Sequence, residues 1–254
     1  MSAARDDILG GIRRALRRGP LSADQAAELT ERIAAHRRNL VPARAAALDP
    51  AARIDLFVAM AEEVQTTVAR VSSELDIPAE VARYLAAENL PAELVVAPDA
   101  SLDSIPWDQR PLLQVRRGRA EAHDAVSLTP SLAGIAETGT LMLGSGPGTP
   151  STLNFLPDTH IVVLHAGQVV ASYEDGWDLL RALCQDDPPP LAGEVYRPTA
   201  GPETANASPL LPRTVNLITG PSRTGDIEQR IQLGAHGPRR LHVVLVDEPE
   251  TAAE

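Results

Sequence analysis

Glu137 lies in the run Gly134-Ile-Ala-Glu-Thr-Gly-Thr140, where a carboxylate is flanked by two hydroxyls and by a glycine suited to a tight backbone turn. Such a turn exposes amides that cradle an anion or a carboxylate, with Thr138, Gly139 and Thr140 as the candidate contacts. Glu137 is the candidate acid, base or nucleophile, provided that burial tunes its proton affinity. The competing reading is a polar turn whose glutamate and threonines satisfy nearby backbone groups. A second run, Gly144-Ser-Gly-Pro-Gly-Thr-Pro150, follows a strand-like segment, a common place for ligand contacts. Beyond it, Asn154 and His160 flank a helical turn. His160 directly precedes an apolar strand, where it either bonds the end of the sheet or orients a ligand.

The third chemistry-bearing run is Gly220-Pro-Ser-Arg-Thr-Gly-Asp-Ile-Glu228, which follows the apolar strand Val215-Asn-Leu-Ile218. A strand, a glycine-containing turn and then a helix N-terminus suit an anionic ligand. On that reading Gly220, Ser222, Arg223 and Thr224 form the turn, and Arg223 offers its guanidinium fork to a carboxylate or phosphate. Asp226 opens a short helix over 226–233, either favouring the helix dipole or holding Arg223 in place. Gly234-Ala-His-Gly-Pro238 ends that helix. Gly234 and Gly237 suit backbone regions closed to other residues, and His236 between them either meets a ligand or bonds a loop carbonyl. A salt-bridged turn with no ligand is the alternative for the whole segment.

Several chemistries have no signature. There is no Walker A run, dinucleotide fingerprint, H-E-x-x-H or G-x-S-x-G. The six histidines, at 36, 123, 160, 165, 236 and 242, are scattered, so no metal site is expected. Cys184 is the single cysteine, which excludes an internal disulfide and a self-contained four-cysteine iron–sulfur site. Late in an amphipathic helix, it reads as a small buried hydrophobe.

These residues need a scaffold, and the chain patterning changes near residue 94. Before it, the spacing predicts helices: Ile8, Ile12 and Leu16 recur four apart, and Ser22-Ala-Asp-Gln25 forms a capping box for a helix carrying Leu29 and Ile33. Residues 39–50 read as a connector. Ile54, Phe57, Val58, Ala61, Val64, Val68 and Val71 predict one long amphipathic helix, and Pro78 starts another. After it come short apolar runs at 94–97, 112–115, 125–128, 140–143, 161–164, 168–171, 215–218 and 241–246. Several are continuously apolar, which predicts a sheet covered on both faces. Residues 174–184 read as a flanking helix, and the proline-rich stretch 186–212 as a long surface loop. The expectation is an α/β domain over 41–250 with an N-terminal helical extension over 1–40.

The apolar fraction of 44% supports a core built of aliphatic side chains, since aromatics make up only 3%. A formal charge of -11 argues against nucleic acid as a partner. The first twenty residues lack the apolar core of a signal peptide, and no apolar run spans a membrane, so a cytoplasmic protein is expected.

Taken in order, Gly134–Thr140, Gly220–Glu228 and Gly234–Pro238 resemble the lactate utilization protein C family, the LUD-domain group (LutC/YkgG). The resemblance covers roughly residues 40–247 and includes His160. Members commonly have alanine where this chain has Gly225, a difference of about 1 kcal/mol at a helix start. The resemblance implies a three-layer α/β/α sheet domain similar to the sugar-phosphate isomerase/CoA-transferase (NagB/RpiA/CoA transferase-like) fold. It further implies a role in oxidation of L-lactate to pyruvate with two iron–sulfur partner proteins. One is cysteine-rich, and the other joins a LUD domain to ferredoxin-like motifs. With one cysteine, this chain carries no cluster of its own, and iron–sulfur clusters are expected in the partners. Three roles stay open: a non-redox subunit binding a small anion, an independent isomerase- or CoA-transferase-like enzyme using Glu137, and a scaffolding or regulatory protein.

Overall fold

The computed structural model describes residues 3–38, 40–184, 211–227 and 230–247. The chain divides into two compact units, Met1–Leu40 and Val41–Glu254. The first contains helices α1 (Ala3–Ala15) and α2 (Ala23–Ala35). The capping box at α2 is formed: Gln25 N–H donates to Ser22 Oγ at 3.2 Å, and Ser22 N–H donates to Gln25 Oε1 at 3.1 Å. These bonds satisfy amides that a helix start otherwise leaves without partners.

The second unit is an α/β fold. Its centre is a six-stranded parallel sheet in the order β1 (Thr67–Val71), β12 (Arg240–Val246), β7 (Thr159–His165), β4 (Val126–Pro130), β2 (Glu93–Val96) and β3 (Gln114–Arg117). Helix α5 (Ile77–Ala87) packs on one face, where Ile77, Val81 and Leu85 meet Ile161, Val163, Val244 and Val246. Alternate residues of the same strands, Val162, Leu164, Val243 and Leu245, meet Phe57 of helix α4 (Pro50–Glu63) on the other face. Both faces of β7 and β12 are therefore apolar, which is why their sequences run without alternation.

A second sheet lies on the α4 face, in the order β8 (Val169–Val170), β5 (Ala133–Ile135), β6 (Thr140–Gly144) and β9 (Val215–Ile218). Its β5–β6 and β6–β9 pairs are antiparallel, and Leu141 and Leu143 join the core shared with Phe57. Helix α7 (Tyr173–Leu183) covers this sheet through Leu180 and Leu183, with Cys184 buried beside them and its thiol pKa raised by burial. Helices thus flank sheets on both sides, consistent with an α/β/α sandwich. The runs at 140–143 and 215–218 belong to the added sheet and not to the parallel one.

Three expectations are corrected. The long helix over 54–71 stops at Glu63, and Val68 and Val71 belong to β1. The stop is a Schellman-type closure: Thr66 N–H donates to the Ala61 carbonyl at 3.0 Å and Gln65 N–H to that of Glu62 at 2.9 Å, with Gln65 at φ 69. No glycine or proline marks this ending. The strand expected at 112–115 lies at Gln114–Arg117. The helix expected over 226–233 is a β-hairpin, β10 (Arg223–Ile227) and β11 (Arg230–Leu233), in which Arg223 pairs with Leu233 and Thr224 with Gln232. Gly225 weakens a helix there, and the β-branched Thr224 and Ile227 suit the strand. The proline-rich loop at 186–212 lies outside the described residues, apart from 211 and 212.

Gly139 shows how tightly the second unit is built. It sits at φ 63, and a Cβ there would lie 2.3 Å from the Ala61 backbone nitrogen. Gly139→Ala should lower unfolding free energy by about 2 kcal/mol or more. Gln65→Gly, which relieves a left-handed side-chain-bearing residue, should raise it by up to about 1 kcal/mol. Urea denaturation of the two variants beside the parent checks both signs.

Candidate functional site

The candidates fall into two places. Asn154, His160, Gly220, Ser222, Arg223, His236 and Gly237 line one cavity of about 520 Å³. Val64, Phe155, Leu217, Pro221, Pro238 and Leu241 complete much of its apolar wall. It opens at the amino ends of β7 and β12, since His160 and Leu241 are the second residues of those strands and pair with each other. Open α/β sheets ordinarily bind ligands at the carboxyl ends. Here the site is built instead by β9 and by the turns on either side of the β10–β11 hairpin.

The two turns are tied at Ser222. Its N–H donates to the Pro238 carbonyl at 2.8 Å, its carbonyl accepts from Gly234 N–H at 2.9 Å, and its Oγ accepts from His236 N–H at 3.3 Å. Gly220 takes φ 79, and a Cβ on it would lie 2.5 Å from the Val64 carbonyl oxygen. The Arg223 guanidinium donates to that same carbonyl, which caps α4. One donor of the fork is thereby used, and the side chain remains exposed. Gly234 is left-handed at φ 80 as expected. Gly237 is not, and its place on the cavity wall leaves ordinary distances of 3.5 Å or more from a would-be Cβ to Ser222 and Phe155.

The deep wall differs chemically from the mouth. His160 is fully buried, its Nε2 lies 2.8 Å from Thr129 Oγ1, and its Nδ1 has no partner among the described residues. Burial pushes its pKa down to about 3, so at neutral pH the ring is an uncharged hydrogen-bonding group and not a cation. Asn154, in the short helix α6 (Thr152–Phe155), is 3% exposed and lines the cavity. Arg223 and His236 are exposed at the mouth. Among the described residues no aspartate or glutamate lines the cavity.

Glu137, Thr138, Gly139 and Thr140 lie apart from this lining. Glu137 is 4% exposed, its Oε1 accepts from Tyr173 N–H at 3.2 Å, and its Oε2 has no partner among the described residues. That amide belongs to the first turn of α7, so the carboxylate sits where the helix dipole favours it. The Arg44 guanidinium donates to the Glu137 carbonyl. Thr140 Oγ1 is 2.7 Å from Thr138 Oγ1, 3.0 Å from Tyr173 Oη and 2.7 Å from Thr219 Oγ1. Thr219 lines the cavity, so this hydroxyl cluster is the link between the two places. The turn backbone of Thr224 and Asp226 is in β10 and not at a helix start. Thr224 Oγ1 is buried without a partner among the described residues, and the Asp226 side chain lies outside them.

Sequence reasoning missed Thr129, Phe155, Tyr173 and Thr219. Phe155 carried a signal: it is one of two phenylalanines in the chain and lies next to Asn154. Thr129 and Tyr173 become relevant only through pairing of β4 with β7 and the placement of α7. Among the described residues no group of three or more His, Cys, Asp or Glu is placed to hold a metal ion, and no helix is long and apolar enough to cross a membrane.

The His160 geometry fixes a pH dependence. Its imidazole titrates near 6.5 when unfolded and near 3 when folded, so between these values the unfolded chain binds a proton that the folded chain does not. Stability present above about pH 6.5 should therefore fall as pH is lowered, with a slope approaching about 1.4 kcal/mol per pH unit. His160→Gln should flatten the curve between pH 6.5 and 4.5, above the range in which Glu80 contributes. Burial opposes ionisation of Glu80, but its bonds to Arg83 and His242 outweigh this and hold the carboxyl at about 2 against an ordinary 4.5. Denaturant midpoints across pH, together with imidazole NMR shifts that stay constant from pH 5 to 8, check the assignment.

Comparison with known proteins agrees with the fold and extends it. The LUD domain family matches residues 54–189 and 191–246. A lactate utilization protein C from Geobacillus is 30% identical over 121 residues, covering 48% of this chain and 42% of that protein. The Bacillus subtilis lactate utilization protein C is 28% identical over 123 residues, covering 48% and 42%. An uncharacterized protein of Neisseria meningitidis is 33% identical over 113 residues, covering 44% and 38%. In each case the chain spans less than half the length of the relative it matches. A crystal structure of a DUF162 family protein from Deinococcus radiodurans superposes with a TM-score of 0.53 at 24% identity, covering 78% of this chain and 99% of that one. That likeness shows a shared fold. With most of the second unit matched by the family's pattern, this chain belongs to the LUD domain family.

Proposed function

We propose that this chain is a non-redox, cytoplasmic subunit of an iron–sulfur-dependent L-lactate oxidation system, and that its cavity binds an anionic ligand. Seven of the sequence-derived candidates converge on one cavity whose lining, among the described residues, carries the cationic Arg223 and no carboxylate, in a chain of formal charge -11. That is the observation on which the reading rests. A local field of this sign within an acidic molecule concentrates anions at the mouth. The family relationship to proteins named for lactate utilization supplies the pathway. Two iron–sulfur proteins are the partners on this reading, as the resemblance to the lactate utilization protein C family implies.

The position of Glu137 favours a subunit over an independent enzyme. Its carboxylate receives an α7 amide and lies outside the cavity lining, so it does not face the groups that would hold a substrate there. The mechanism open to the site is recognition. Arg223 supplies charge at the mouth, and Asn154 and His160 supply uncharged hydrogen-bonding groups at depth.

L-lactate-dependent dye reduction tests this in cell extract lacking the chain. Added parent protein should restore the rate, whereas Arg223→Ala and Asn154→Ala should each restore roughly a tenth of it or less, as expected for loss of a buried or charge-assisted contact. Both variants should melt within a few degrees of the parent. Full restoration by both variants would overturn the binding role and leave a scaffold. No loss of activity in the depleted extract would overturn the pathway assignment.

A further inference from the structure

The cavity does not have the dimensions of a lactate site. Lactate displaces on the order of three waters, roughly 90 Å³. The cavity is about 520 Å³, within the range of roughly 300–1,000 Å³ that holds much larger organic ligands. A molecule as small as lactate cannot fill it.

Its wall is also graded. At depth the wall carries Asn154 and His160, both buried and uncharged, and the His160 Nδ1 has no hydrogen-bond partner among the described residues. A buried polar group without a partner is costly, and a ligand atom that hydrogen-bonds it recovers that cost. At the mouth stand the exposed Arg223 and His236. Between them the wall is apolar and includes Phe155, which is 44% exposed. In a chain with only two phenylalanines, the other, Phe57, is wholly buried in the core. Phe155 thus contributes a part-exposed aromatic ring to the cavity lining, with Gly237 beside it presenting no side chain. An aromatic face is a platform for a planar ring, which stacks on it largely regardless of the ring's identity.

We infer that the site takes a planar heteroaromatic ring joined to a terminal anionic group, a ligand of mononucleotide class. The ring stacks on Phe155 with its polar edge toward Asn154 and His160, and the anion meets Arg223 and His236. The inference rests on the anion-binding reading above and changes the ligand from the substrate of the pathway to a nucleotide-sized molecule.

Isothermal titration of the full chain with AMP, FMN, adenosine, riboflavin, orthophosphate and L-lactate tests it. AMP or FMN should bind at least about tenfold tighter than its unphosphorylated counterpart, orthophosphate or L-lactate, reflecting simultaneous use of stacking and charge. Phe155→Ala should weaken nucleotide binding roughly tenfold. Arg223→Ala should bring nucleotide affinity down to that of the nucleoside and leave nucleoside affinity unchanged. Thermal melts establish that both variants are folded, and Phe155→Tyr, which keeps the ring, should bind as the parent does. Equal or tighter binding of L-lactate, no measurable binding of either nucleotide, or nucleotide binding indifferent to Phe155→Ala would each overturn the inference. A chain that restores lactate oxidation yet binds no nucleotide overturns this ligand class alone. A chain that binds nucleotide but is dispensable for lactate oxidation overturns the pathway alone.

Discussion

The last turn of helix α4 is the support on which the rest of the site depends. Gly139 packs against Ala61, Gly220 packs against the Val64 carbonyl, and Arg223 donates to that same oxygen. Two glycine-containing turns about eighty residues apart in sequence are thus set against one stretch of backbone. Neither contact admits a side chain, so their separation follows from the helix and not from adjustable rotamers. The helix is in turn fixed by Phe57, which is buried against the second face of the parallel sheet. Core packing, helix ending and cavity wall form one continuous structure.

Electrostatics then divides this structure by depth. The interior side of the cavity is uncharged because His160 cannot keep a proton there, and Thr129 holds its other nitrogen. The mouth carries the Arg223 guanidinium, where solvent lowers the cost of charge. The described acidic side chains are placed elsewhere, and several are paired with arginines, as in Asp247 with Arg70 and Asp124 with Arg116. Glu137 follows the same logic in reverse. Its buried carboxylate is placed at a helix start, where backbone dipoles favour negative charge.

Much of the fold was legible because apolar periodicity reports burial on each face. The β4, β7 and β12 runs and the α7 helix stand where that pattern puts them. It misled at 64–71 because Val64, Val68 and Val71 keep helical spacing across a chain reversal. The reversal uses Gln65 in a left-handed conformation, and glutamine gives no signal for that. It misled again at 226–233, where an acidic residue after a glycine turn imitates a helix start while cross-strand pairing decides the outcome. Within the site, the Gly220–Pro238 residues and Asn154 and His160 were legible as polar groups in turn contexts. Their separation from Gly134–Thr140 was not, since periodicity cannot say that β6 and β9 build a different sheet from β7. Phe155 escaped notice because a lone aromatic reads as core until its exposure is known.

The strand order carries a consequence for the way the molecule assembles. Strand β12 lies between β1 and β7, pairing Thr67 with His242 on one side and His160 with Leu241 on the other. Until that late segment of the chain arrives, β1 has no neighbour and both strands present open hydrogen-bonding edges. Insertion of a central strand requires closure of long loops before any contact rewards it, which makes such a step slow. Val64 and Leu241 stand on opposite sides of this event and on the same cavity wall. The cavity therefore comes into being only with the final threading of the sheet, so nascent or truncated chains present sticky edges in place of a pocket.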